Sequence, residues 1–124
     1  MSVTRISKES LDEILTGRVR QDATCVLKFY SNTCHMCQSL HDYYENISDN
    51  KKYKDLHFLA FNIDDDPKIE KNLNFKGVPT IFVIHTHIGD RPATLRMLPE
   101  PENPNDSTWY TVNHIKSFLD KEAL

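Results

Sequence analysis

Two thiols stand three positions apart in Cys34-His35-Met36-Cys37, after the run Cys25-Val26-Leu27-Lys28-Phe29-Tyr30 and before a segment in which Leu40, Tyr43, Tyr44 and Ile47 recur at helical spacing. A pair so placed sits at a strand-to-helix junction, with its first thiol at the helix N-terminus. Unpaired backbone N–H groups and the helix dipole there favour thiolate over thiol. Thiolates attack disulfides, and a second thiol one turn away can release the mixed disulfide that forms. Residue types and spacing together point to dithiol–disulfide exchange.

Positioning these thiols needs a folded core, and 124 residues suffice for one domain, residues 1–124. A net charge of −3 with no Lys/Arg run excludes an obvious nucleic-acid partner. No stretch is long and apolar enough to span a membrane. The segment Met1 to Ser7 has neither an apolar h-region nor a small-residue cleavage site, so a cytoplasmic location is expected. Three cysteines, two of them in one short motif, read as catalytic or metal-binding in a reducing compartment.

Ser7 is placed to cap a helix with Leu11, Ile14 and Leu15 on its apolar face and Gly17 as its stop. A strand follows from Ala23 to Tyr30, then the thiol-bearing helix from about Cys34 to Asn50. Leu56 to Ile63 reads as a strand, Asp64 to Pro67 as a turn, and Ile69 and Leu73 as the apolar face of a two-turn helix. Thr80 to Ile84 is a β-branched central strand, and Ala93 to Leu98 forms another. Pro99, Pro101 and Pro104 mark a loop over 99–108, and Asp106 or Ser107 caps a closing helix carrying Val112, Ile115 and Leu119. Trp109 and Tyr110 are read as anchors of that helix. This order of elements implies an α/β fold, a mixed sheet with helices on both faces.

Three separated signatures resemble the thioredoxin family: the strand-to-C-x-x-C junction behind Phe29-Tyr30, the segment Phe61-Asn62-Ile63-Asp64 with Pro67, and Gly77-Val78-Pro79-Thr80. The resemblance covers nearly the whole chain and implies the thioredoxin fold. It implies that Pro79 is cis and packs beside Cys34, with the Val78 backbone free to pair with a substrate strand. Thr33 and Met36 would flank the substrate as well. It further implies that Cys34 is the exposed nucleophile and Cys37 the buried resolving thiol. Where the family often carries a buried carboxylate, this chain has Lys28; the partner lysine corresponds to Ala60, the tryptophan before the motif to Thr33, the Gly-Pro inside it to His35-Met36, and the helix-kinking proline to Asp42.

Lys28 has two readings: a buried group that moves a proton at, or electrostatically tunes, Cys37, or a side chain that reaches solvent and is inert. His35 is either a cation that tunes Cys34 or an exposed neutral bystander, and Met36 offers a partner a polarizable contact. His85 and His87 alternate as a chelating pair would but lack a third ligand, so no metal site is expected. Asp64, Asp65 and Asp66 read as a turn with helix capping, and Cys25 as a core residue. The resemblance implies a protein-disulfide reductase that needs no cofactor, is recycled by a thioredoxin reductase-like enzyme and acts on disulfide-containing proteins. Its rivals are a glutaredoxin-like glutathione-linked enzyme, a disulfide isomerase or oxidase, a non-catalytic binding module, and a dimer holding zinc or an iron–sulfur cluster between two cysteine pairs.

Overall fold

The computed structural model describes residues 3–104 and 107–124. In chain order its elements are β1 (Val3–Arg5), α1 (Lys8–Thr16), β2 (Ala23–Tyr30), α2 (His35–Ser48), β3 (His57–Asn62), α3 (Ile69–Asn72), β4 (Thr80–His87), β5 (Arg91–Met97) and α4 (Val112–Glu122), with 3-10 turns at Lys51–Tyr53 and Ile63–Asp65. The strands form one sheet in the order β1-β3-β2-β4-β5. Strand β2 runs parallel to β3 and antiparallel to β4, so the sheet is mixed as expected. Residues Cys25 to Phe29 of β2 are all buried, as a central strand covered on both faces requires.

Two apolar clusters line the two faces. Tyr44, Ile47, Ile115 and Leu119 of α2 and α4 pack with Val26, Phe58 and Val83 on one side. Leu11 and Ile69 of α1 and α3 pack with Leu27, Phe29, Phe61 and Phe82 on the other. This is the α/β thioredoxin fold.

Ser7 caps α1 through its side chain, and Gly17 ends it in the left-handed region at φ 79°. A Cβ at Gly17 would collide with the backbone of His87 and Arg91, so the residue also admits the β4–β5 turn at close range.

Beyond shifts of one or two residues at the ends of α2, β3 and β5, the expected elements differ in four places. Val3–Arg5 is a strand, paired with β3 in the register Thr4↔Leu59; three residues are too few to show periodicity. Helix α3 is one turn rather than two, because Asn74 takes a left-handed φ of 58° just beyond the cap residue Leu73. Strand β4 continues past Ile84 to His87. Thr111, not Ser107, caps α4, its Oγ1 accepting from the His114 N–H. The chain must first turn through Trp109 (φ 70°) and bury Tyr110 before the helix begins. Asp106 lies outside the described residues.

Candidate active site

Cys34 is the N-cap of α2, and its Sγ accepts the Cys37 N–H at 3.1 Å. The two cysteines are joined as a disulfide. Cys34 is half-buried, whereas Cys37 is 3% exposed. On reduction, the N–H that meets Cys34 Sγ stabilises a thiolate there. The loop before the helix is fastened to β3: Asn62 Nδ2 donates to Asn32 Oδ1 at 2.8 Å, and Asn62 Oδ1 accepts from the Asp64 N–H at 2.9 Å.

In front of Cys34 lies the loop between α3 and β4. The Val78–Pro79 peptide is cis, and Cys34 Sγ lies 3.6 Å from the Val78 carbonyl oxygen. Thr80 Oγ1 donates to the Gly77 carbonyl at 2.8 Å, the Gly77 N–H donates to Glu70 Oε2 at 2.7 Å, and the buried Tyr110 hydroxyl donates to the Pro79 carbonyl at 3.4 Å. A groove of about 330 Å³ opens beside this loop, lined by Met36, Val78, Pro79, Met97, Trp109 and Tyr110 among others. Sequence reasoning brought Met36, Val78 and Pro79 to this place. Thr33 is exposed and does not line the groove, and His35 is exposed at the first position of α2.

Behind Cys37 lies a second cavity, of about 470 Å³, whose lining includes Lys28, Tyr30, Cys37, His41, Glu45 and Ala60. Lys28 is 4% exposed, which removes the solvent-facing reading of this side chain. Its Nζ lies 4.9 Å from the centre of the Tyr44 ring and 5.7 Å from that of Tyr30. Burial pushes its amine down to about 8, against which the nearby Glu45 carboxylate pulls upward. Ala60 pairs with Lys28 across β2–β3, and its small side chain leaves this space open. Glu45 escaped the sequence reading. Its signal was the helical spacing that puts it on one face of α2 with Cys37 and His41.

The remaining candidates are structural. Burial raises the Cys25 thiol to about 11, so it is a poor nucleophile. His85 Nδ1 lies 3.1 Å from Thr24 Oγ1 and its Nε2 3.0 Å from the Glu122 carbonyl, so both ring nitrogens are engaged. Asp65 pairs with Arg5, and Asp66 Oδ1 accepts from the Lys68 N–H. No group of three or more metal-ligating side chains converges among the described residues.

The family model for thioredoxin matches residues 2–95. No curated protein matches the chain. Among solved structures, the thioredoxin Mala s 13 of Malassezia sympodialis is similar at 16% identity and a TM-score of 0.68, covering 99% of this chain and 92% of that one. The Trx4 domain of ERdj5 is similar at 14% identity and a TM-score of 0.70, covering 100% and 99%. A chain from a structural study of thiol resolution in yeast mitochondrial 1-Cys peroxiredoxin via glutathione/thioredoxin systems has 13% identity and a TM-score of 0.62, covering 96% and 94%. At such identities these neighbours establish the fold.

Proposed function

The chain belongs to the thioredoxin family, and from that premise we propose that it is a thiol–disulfide oxidoreductase that reduces protein disulfides. The observation that carries this reading is the half-buried Cys34 at the cap of α2, with the Cys37 N–H on its sulfur and the Val78 carbonyl 3.6 Å away beside an open groove.

In the reduced protein, the Cys34 thiolate attacks one sulfur of a substrate disulfide, and the other substrate sulfur leaves as a thiolate. Cys37, once deprotonated, attacks Cys34 Sγ. The Cys34–Cys37 bond forms, the second substrate thiolate departs, and two electrons have passed to the substrate. The Val78 backbone pairs with the extended substrate segment, while Met36 and the Pro79 ring supply apolar contact. Lys28 acts on Cys37 from behind as its proton-transfer or tuning group. A thioredoxin reductase-like enzyme in a reducing compartment such as the cytoplasm restores the dithiol, with no bound cofactor in this chain.

Turnover of a protein disulfide, coupled in turn to a thioredoxin reductase and to glutathione, tests the reading. Faster recycling by the reductase enzyme supports it. Recycling by glutathione at an equal or higher rate assigns the chain to glutathione-linked chemistry. A reduction potential above the glutathione poise assigns it to oxidation or isomerisation instead.

A further inference from the structure

The rear cavity holds a charge arrangement that the exchange reaction alone does not explain. Lys28 is buried with its Nζ over the Tyr44 ring, and Glu45 Oε2 is buried without a hydrogen-bond partner among the described residues. The Glu45 side chain is 14% exposed, and its other oxygen lies 3.8 Å from His41 Nε2. A buried carboxylate oxygen and a buried ammonium each lose hydration that a hydrogen bond would normally replace. Both line the one cavity that also reaches Cys37, and that cavity is roomy enough for water.

We propose that Glu45 is a positioning residue acting through Lys28, the two forming a proton-handling pair for Cys37. The inference rests on the exchange reading for the role of Cys37. As Cys37 attacks Cys34, its thiol proton passes to the Lys28 amine, directly or across one cavity water. The Cys37 thiolate then displaces the substrate thiolate, which takes a proton from solvent. Lys28 returns its own proton to solvent through the cavity mouth, so protons and electrons balance.

Glu45 holds positive charge on Lys28 against desolvation, the sense in which it acts on that amine. The other titratable groups facing the pair are Arg5 on β1, Tyr30 on β2, and Cys37, His41 and Tyr44 on α2; β3 presents only Ala60.

The test is a titration of the Lys28 side chain by its 13C shift, in oxidised and dithiothreitol-reduced protein, for wild type, Glu45→Gln and a His41→Asn control. The pair requires that Lys28 titrate differently in the two redox states, and that Glu45→Gln move its midpoint to lower pH while His41→Asn moves it less. An unchanged wild-type midpoint on reduction overturns the proposal, and this arm needs no variant. Stopped-flow release from the mixed disulfide supplies the kinetic arm: Glu45→Gln moves the rising pH limb down, and moves it much less in a Lys28→Met background. An equal shift in both backgrounds also overturns the proposal, because Glu45 would then act without Lys28. A redox-dependent Lys28 titration in a protein that turns over no disulfide supports the pair while sinking the exchange reading.

Discussion

The two sides of the Cys34–Cys37 bond are built on different terms. In front, the Gly77-to-Thr80 loop has polar partners from its own backbone, Glu70 and Tyr110, and the groove is lined largely by Met36, Pro79, Met97 and aromatic rings. Behind, Lys28 is buried and Glu45 half-buried, with one unsatisfied carboxylate oxygen, between two strands and a helix. Under the proposed function the front meets extended backbone and apolar side chains, which any protein substrate can offer. The rear, in the proposal above, serves the proton balance of Cys37. On that proposal one side is organised for generality, the other for a single atom.

The sharpest way to break this division is to remove each thiol in turn. Cys34→Ser abolishes attack on a protein disulfide. Cys37→Ser leaves attack intact and blocks release, so a mixed disulfide accumulates and is seen as an adduct by mass spectrometry. An adduct on Cys37 in the Cys34→Ser protein would show that the buried thiol is reachable and that the sides are not distinct.

The next largest effect belongs to the buried charges. Burial holds Lys28 at about 8 against an ordinary 10.5. Between those values the unfolded chain binds the proton and the folded chain does not, so stability rises as pH climbs through the interval. Below it the folded state carries a penalty on the order of 3 kcal/mol. Cys25, raised from 9.0 to about 11, acts in the opposite sense over its own interval, so the Lys28 slope is cleanest from about 8 to 9. The double variant Lys28→Met/Glu45→Gln should be unchanged or more stable at neutral pH, by up to about 4 kcal/mol, with that slope gone. Denaturant melts across the pH range check this. A double variant that loses more than about 1 kcal/mol would make the pair a stabilising feature instead.

The same contrast explains what could be read from the sequence. The front is local: C-x-x-C at a strand end and Gly-Val-Pro before a β-branched run each announce their geometry within a few residues, and Val78–Pro79 is cis beside Cys34 as the resemblance implied. The rear is made by three elements distant in sequence. Lys28 stood out because it occupies the position where the resembled family often carries a buried carboxylate, but Glu45 looked like any exposed helical glutamate until α2 was docked against β2. Likewise β1 exists only through its pairing with β3, and the start of α4 was set by the burial of Tyr110 rather than by the nearest capping residue.

Not everything behind Cys37 is costly. The Tyr44 hydroxyl lies 2.7 Å from the Val26 carbonyl and 2.8 Å from that of Leu59, tying α2 to two adjacent strands. Tyr44→Phe should lower stability by about 1–2 kcal/mol while leaving exchange rates within a factor of two. Denaturant melts and turnover measured on one preparation separate the two effects. A large fall in rate with little loss of stability would move Tyr44 from the scaffold into the proton-handling machinery.

The smallest effect is expected at His35, although it is the charge candidate nearest to Cys34 in sequence. Its side chain is exposed at the first position of α2, where solvent screens a charge and the helix dipole disfavours a cation. Interactions of exposed charges are worth roughly 0.2–1 kcal/mol, which for this two-electron couple is about 20 mV or less. His35→Ala should therefore leave the reduction potential of the Cys34–Cys37 pair within that margin on equilibration against glutathione buffers. A shift above ~30 mV would mean that a chain-specific charge tunes the front as well, and that the division between the two sides holds for geometry but not for electrostatics.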